Sequence, residues 1–360
     1  MKTHSTDCRT PLLGLSLLAL ACAGHAQGSV TLYGVADAGV RYSSGLNAAY
    51  GGDAGSSTAI NSGIHTTSRF GFRGSEDLGA GLKAIFNLES GINLDTGASA
   101  STTKLFDRAA SVGMQGGWGT VTAGRQTTVL ADVVSAVDPL GVRFAGFNPN
   151  VGIAALSAHR LGAEFGPSGS PTGAYRLDNS IKYVGRFSDF SVRAMHAFGE
   201  QVGNASRLAS SGVGAGYQSG AYTAALSYAQ FKNAAGLSLK GYLGGASAML
   251  GTTKLALTYG SHEAETSATA KTRNRTLSLG GTLALGASVD LILAHYQVKR
   301  ARTAAVDDGF NRTVAFVEYK LSKRTRAYAE LDQTRWKNGY QGAGFKSSAS
   351  GVSAGVVHSF

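Results

Sequence analysis

Almost everything after Gln27 alternates between apolar and polar residues with a period of two, and four of the five prolines fall in one connection. Successive side chains of a strand point to opposite faces, so this period predicts strands rather than helices. In Arg69-Phe70-Gly71-Phe72-Arg73 the phenylalanines share one face and the arginines the other. Leu82, Ala84, Phe86 and Leu88 likewise oppose Lys83, Asn87 and Glu89. Leu255, Leu257 and Tyr259 oppose Lys254 and Thr258, and Ala327, Ala329 and Leu331 oppose Arg326, Glu330 and Asp332. One face is apolar enough for lipid. The other carries charges that a dry core does not tolerate unpaired.

Sixteen strand-like segments follow one another: Val30–Tyr42, Thr67–Asp77, Leu82–Ile92, Lys104–Gln115, Thr120–Thr127, Asn179–Phe187, Phe190–Gly199 and Gly212–Gln218 are the first eight. Tyr222–Phe231, Ser238–Leu250, Thr253–His262, Arg275–Leu285, Ser288–Lys299, Arg312–Leu321, Arg326–Trp336 and Ser348–Phe360 are the rest. Short connections such as Leu78–Gly81, Gly116–Gly119 and Ser188-Asp189 alternate with long polar ones such as Ser43–Thr66 and Asn93–Thr103. Such alternation is what an up-and-down antiparallel barrel produces, and outer-membrane barrels have an even strand number with short turns on one side. Pro139, Pro149, Pro167 and Pro171 all lie between Gln126 and Asp178. A closed barrel has no edge to accommodate proline, so its prolines belong in connections. A connection this long is uncommon in a compact domain unless it has a function. The fold expected is an all-β, sixteen-stranded antiparallel transmembrane barrel, wide enough for an aqueous lumen.

The first residues read as an export signal. Lys2 and Arg9 precede an apolar run, Leu12–Ala23, and Gly24-His25-Ala26 follows it as a small-x-small cleavage site. Cleavage is expected after Ala26, leaving 27–360 as the barrel; a lipoprotein reading at Cys22 fits poorly, because Leu20-Ala21-Cys22 is a weak lipobox. Both cysteines, Cys8 and Cys22, lie in that segment, so the remainder forms no disulfide. Lys2, Arg9 and Asp7 lie there too, so the net charge falls from +11 to +10. The cations are scattered singly along alternating segments rather than blocked, which speaks against a nucleic-acid partner.

In this pattern and in its motifs the chain resembles the general diffusion porins of Gram-negative bacteria, in their beta-proteobacterial form. The carriers are SVTLYGVADAGV, SRFGFRGSEDLGAGLKAIFNLE, DRAASVGMQGGWGTVTAGRQ, NSIKYV, YKLSKRTRAYAEL and the ending GVSAGVVHSF. The resemblance implies a homotrimer in the outer membrane, among lipid and lipopolysaccharide. It implies that the third outer loop, about 126–178, folds inward to narrow the pore. It also implies that Phe360 belongs to a signal read by the barrel-assembly machinery. Carried over by motif, Arg69 and Arg108 face the constriction, Tyr33 and Asp37 face the lumen, and Arg125 stands where the fifth strand enters the loop. The loop departs from the family: ADVVSAVDPLGVRFAGFNPN replaces the Pro-Glu-Phe-Gly-Gly core of many relatives. Asp132 and Asp138 are its candidate acids opposite the arginines, with capping of a short helix, Asp132–Val137, as the alternative.

The implied function is passive diffusion of small hydrophilic solutes, with a preference for anions. A substrate-selective channel is the rival, and an outer-membrane barrel enzyme a distant third, since no set of Ser, His and acid is marked as a catalytic site. No cofactor is implied, and the histidines show no metal-ligand spacing. GVGAGY at Gly212 resembles a nucleotide loop but precedes no helix pattern, and Asp307-Asp308 is a thin candidate for a calcium site.

Overall fold

The computed structural model describes residues 28–48, 50–141, 143–154 and 175–360. Residues 1–27, on which the expected signal peptide falls, and His159, Pro167 and Pro171 lie outside these residues. The chain forms one antiparallel sheet. Its elements are β1 (Ser29–Leu46), β2 (Gly52–Ser62), β3 (Arg69–Gly79), β4 (Leu82–Gly91), β5 (Ala109–Gly116) and β6 (Gly119–Thr127). Two helices follow, α1 (Val129–Val137) and α2 (Pro149–Ala154). Then come β7 (Arg176–Phe187), β8 (Phe190–Ala197), β9 (Ser210–Ser219), β10 (Tyr222–Lys232), β11 (Ser238–Leu250) and β12 (Thr253–Glu265). The last five are β13 (Lys271–Ala284), β14 (Val289–Arg302), β15 (Asp308–Lys320), β16 (Thr325–Lys337) and β17 (Ser348–Ser359).

The sheet closes on itself. Val35–Ser44 of β1 pairs with Ser359–Ser350 of β17. Phe360 completes the seam: its N–H donates to Gly34 O at 3.1 Å, and Gly34 N–H donates to Phe360 O at 3.0 Å. Seventeen segments make sixteen staves because β2 and β3 share one. Ala38–Leu46 of β1 pairs with β2, and Ser29–Val35 with β3. Ser43–Thr66 was expected to be one long outer loop; instead β1 runs on to Leu46 and β2 pairs back along it. The physical reason is composition: GDAGSSTAINS has little apolar alternation to read, yet its backbone fills the ladder equally well.

The two halves of this stave are separated at Gly63–Ser68, where Asp37 substitutes for the missing ladder partners. Its carbonyl accepts from Gly63 N–H at 2.8 Å and Ser68 Oγ at 2.9 Å, and its carboxylate accepts from Thr66 N–H at 2.6 Å. Ile64 and His65 are thereby turned into the barrel.

The outer face of the wall is apolar. Leu226, Leu279 and Leu331 are each about 60% exposed, an arrangement that only lipid makes stable. No described helix is long and apolar enough to cross a membrane. The opening pair, Phe70 and Phe72, lies on this lipid side, while Arg73 turns inward and stacks 5.1 Å from the centre of the Tyr33 ring.

The third outer connection lies along the inner wall. Its helix α1 starts at Thr128, whose Oγ1 accepts from Ala131 N–H at 3.2 Å. The cap is thus Thr128 rather than Asp132, and the helix begins three residues before the expected Asp132. Val129, Leu130, Val133, Val134 and Val137 are fully buried against Met195, Ala225, Ala229, Phe231, Leu239 and Leu243. At ~1.5–3 kcal/mol for each large aliphatic side chain, five such residues give on the order of 10 kcal/mol of gross burial, enough to hold the helix to the wall. Close approach needs small wall residues: a Cβ on Gly212 would meet Val129 Cγ2 at 2.6 Å, and one on Gly245 would meet Val137 Cγ2 at 2.9 Å. Gly212→Leu is therefore expected to push α1 off the wall while the barrel stays closed. Gel mobility with and without heating should be unchanged, and proteolysis within the third connection should accelerate at least several-fold.

Candidate pore constriction

Beyond α1 the connection crosses to the other side of the barrel. Leu140, Phe144 and Phe147 are buried with Ile292, Tyr296, Val314, Phe316 and Tyr328 of β14–β16. Asp138 is the hinge between the two apolar clusters. Its Oδ1 accepts from Leu140 N–H at 2.9 Å, Asn148 Nδ2 at 2.7 Å and Tyr296 OH at 2.9 Å; its Oδ2 accepts from Asn150 Nδ2 at 2.7 Å. Arg312 of β15 holds the far end, donating to Phe147 O at 3.0 Å and, from the first outer connection, to Tyr50 O at 3.2 Å. His65 bridges the wall and the loop. Phe144 N–H donates to His65 O at 2.8 Å, and His65 Nε2 lies 2.7 Å from Glu318 Oε1.

The described residues of the loop cover the inner wall from β8 to β17 and leave the wall from β3 to β8 uncovered. There the side chains are basic, and carboxylates are shared between them. Glu89 lies between Arg108, at 2.7 Å, and Arg69, at 3.4 Å. Asp178 lies between Lys104, at 2.6 Å, and Arg125, at 2.7 Å. Asp132 of α1 lies between Lys182, at 2.7 Å, and Arg193, at 3.5 Å. Arg176 is the seventh cation; its guanidinium stacks 5.1 Å from the Tyr175 ring centre and its Nε has no hydrogen-bond partner. Within this cluster seven cations stand against three carboxylates, an excess of four positive charges. Arg108, Arg176, Lys182, Glu89 and Gln126 line a cavity of about 300 Å³ within it.

The residues singled out in the sequence divide between this wall and the anchors. Arg69, Arg108, Arg125 and Asp132 belong to the basic wall. Tyr33 joins it, with its hydroxyl 2.9 Å from Asn87 Oδ1 and 3.0 Å from Glu89 Oε2. Two expectations need correction. Asp138 does not oppose the arginines: it is buried and its acceptors are filled by the loop's own donors. Asp37 is on the inner side of β1 but is sealed from the lumen, with Tyr328 OH donating to it at 2.8 Å and the His65 backbone segment closed over it. The family motif gives Asp37 its face and Asp138 its loop, and neither reports what packs over the carboxylate. Arg176, Asp178, Arg193 and Lys104 were missed. The first two open β7 directly after the long connection, and the period-two reading began three residues later at Asn179. Of the candidate calcium pair, Asp308 is occupied by Arg300, whose Nε lies 2.7 Å from Oδ1, and by Arg302 at 2.8 Å. Among the described residues no group of three His, Cys, Asp or Glu is placed to hold a metal.

A model of the Gram-negative porin family matches residues 14–339. The chain belongs to that family. As a porin it is 39% identical over 159 residues to an outer membrane porin protein of Bordetella pertussis, a match spanning 41% of each chain. Over nearly its whole length, 97% of this chain and 99% of the other, it is 29% identical to outer membrane porin protein 32 of Delftia acidovorans. Among solved structures, the anion-selective porin from Comamonas acidovorans superposes with a TM-score of 0.77 at 26% identity, covering 93% of this porin and all of that one. The trimer form of the Vibrio cholerae protein OmpT shares the fold, with a TM-score of 0.69 at 17% identity over 92% of this chain and 99% of that one.

The loop anchor of this porin carries a pH dependence. Complete burial pushes the Asp138 carboxyl up to about 6, although four donors favour its charged form. Its docked-state pKa is above the free value, so the docked loop binds the proton more tightly than an undocked one. The corresponding stability is complete below about pH 4 and is lost as pH rises through 6. The third connection is expected to resist proteolysis better at pH 4.5 than at pH 8, and Asp138→Asn should abolish that difference.

Proposed function

We propose that this outer-membrane porin passes small hydrophilic solutes by passive diffusion through the gap between its third outer loop and the β3–β8 wall, with a preference for anions. The observation that carries this reading is the excess of four positive charges in the Arg69–Arg193 cluster of the β3–β8 wall. Rate and sieving follow from the free cross-section beside α1, and charge preference from the fixed charges lining it. An ion in a narrow gap passes within the ~8 Å over which salt screens a charge at physiological strength. Low-dielectric walls focus the field further. A difference of about 1.4 kcal/mol between an anion and a cation at the constriction gives tenfold discrimination. The similarity to an anion-selective porin supports the same sign. No catalytic step is needed for this function, and the wall offers ion pairs rather than an activated nucleophile.

The remaining assignments are part of the same proposal. Residues 1–26 are a signal peptide, the barrel assembles as a homotrimer like the trimer form among its structural neighbours, and Phe360 at the seam is its assembly signal.

In a salt gradient the wild-type pore should give a reversal potential on the chloride side, weakening as salt rises. Arg69→Ser, Arg108→Ser and Arg176→Ser together should move it toward zero or past it; a potential unaltered by the triple change, or a wild type that prefers potassium, overturns the proposal. Shortening the third connection between Gly141 and Tyr175 should raise single-channel conductance at least twofold, whereas an unchanged current would place the constriction elsewhere.

A further inference from the structure

The barrel holds a cavity that the basic wall does not use. It measures about 400 Å³ and lies among β1, β2 and the connections after β1 and β4, at the end of the barrel with the long connections. The sequence of β2 makes the space. Ser57, Ala59 and Asn61 pair with Ser43, Arg41 and Gly39 of β1 and share their inward face. Three short side chains leave room there that the described part of the third connection does not fill. Asn93 and Asp95 of the second outer connection also line it, and they stand on a tight turn. Asn93 N–H donates to Ala98 O at 2.8 Å, and Gly97 N–H donates to Asn93 O at 2.7 Å. Tyr50 forms the side toward the third connection, its ring centre 4.3 Å from that of Phe147.

The lining selects by chemistry. Among the described residues its one cation is Arg41, and that charge is already engaged: Nη1 lies 3.1 Å from Glu330 and Nη2 lies 2.7 Å from Asp332. The guanidinium also stacks 4.2 Å from the centre of the Phe147 ring. An anion thus meets the Asp95 carboxylate and no free cation, and a cation meets a single exposed carboxylate. An apolar molecule would desolvate amides that it cannot satisfy. The side chains of Asn61, Asn93 and Asp95 have no hydrogen-bond partner among the described residues, and Ser57 has only Ser43, 3.1 Å away. Amides and hydroxyls both donate and accept, and a carboxylate accepts at two oxygens. The ligand that matches this set is uncharged and carries many hydroxyls. The cavity has the liquid volume of roughly a dozen waters, within the range of about 300–1,000 Å³ typical of small-molecule sites.

We propose that this cavity binds a neutral polyhydroxylated solute, of monosaccharide to disaccharide size, at the outer mouth of the pore. The assignment deepens the diffusion reading and rests on it for the path of the solute. Because Tyr50 packs on Phe147, the bound solute stands against the edge of the loop that borders the gap. Neutral solutes are thus gathered away from the cations along which anions pass.

The test uses the full folded barrel with lactose, with lactobionate as its anionic counterpart, and with tetraethylene glycol dimethyl ether, which has no hydroxyl to donate. Heat of binding is read in neutral detergent, and interruptions of single-channel current in potassium chloride. Lactose should bind saturably and interrupt the current, about tenfold more tightly than either of the others, because a site built to pair hydroxyls rejects an analogue that lacks them. Asn61→Ala, Asn93→Ala and Asp95→Ala together should weaken lactose about tenfold, with sugar-free conductance and heat-modifiable gel mobility unchanged. Asp95→Asn, which keeps an acceptor and adds a donor, should hold lactose within about twofold and narrow its margin over lactobionate. Equal effects of lactose and the ether, a preference for lactobionate, or undiminished lactose binding in the triple variant would each overturn the assignment. The two readings fail separately. A barrel that binds lactose by calorimetry but carries no current overturns diffusion and leaves the site standing; normal chloride-preferring current without lactose binding overturns the site alone.

Discussion

The backbone ladder between the first and last strands is the constraint on which everything else rests. Inside a bilayer an unpaired amide costs several kcal/mol, so a sheet can cross only if it has no edge. The pairing of β1 with β17 removes the last edge, and the two bonds between Gly34 and Phe360 carry the seam to the final residue. Once the ladder is closed, side chains no longer need to build a core. The outer side is free to be apolar, and the inner side is free to specialise region by region.

That regional specialisation explains the loop. A long connection drawn into a water-filled lumen needs an apolar surface to dock on, and β8–β12 provide one from small and aliphatic inner residues. Glycines at two of the contact points let the helix approach to side-chain distance. Farther along, β14–β16 offer aromatic rings, and the loop answers with Phe144 and Phe147. Asp138 sits at the change of direction, where four donors converge on one carboxylate, and two of them come from asparagines of the same loop. The interior of the barrel is thus half core and half channel, and the boundary between them is fixed by wall composition.

Much of this was legible in the sequence. Alternation located all sixteen staves and separated lipid-facing from inward residues, because period two is a direct consequence of strand geometry. Proline marked the inserted connection for the same reason. What alternation cannot convey is a second layer. Asp37 and Asp138 are polar and lie on the inner side, but each is covered by residues that no facial pattern reports, the His65 segment in one case and Asn148 and Asn150 of its own loop in the other. The division of the second stave into β2 and β3 was hidden for another reason: its outer half is built mostly from Ser, Thr, Gly and Ala, whose side chains carry little facial signal. Arg176 escaped because it stands at the junction of loop and strand, where neither pattern holds.

The arrangement of the basic wall follows from the cost of crowding like charges. Arg69 and Arg108 alone, close together and partly desolvated, would repel each other; Glu89 between them lowers that repulsion and fixes both guanidinium planes. Asp178 and Asp132 do the same for the next two pairs, and Asp132 does so from the loop, so the docking of α1 also completes the wall. Each carboxylate neutralises one charge and orders two cations. The pattern repeats with one acid for two bases, which leaves the wall positive however far it extends. Full pairing would give a rigid but neutral lining, and no acids at all would give a positive but disordered one. Sharing each acid between two bases gives fixed positive charge at the edge of the open gap, which is the property that lets a passive pore discriminate by sign.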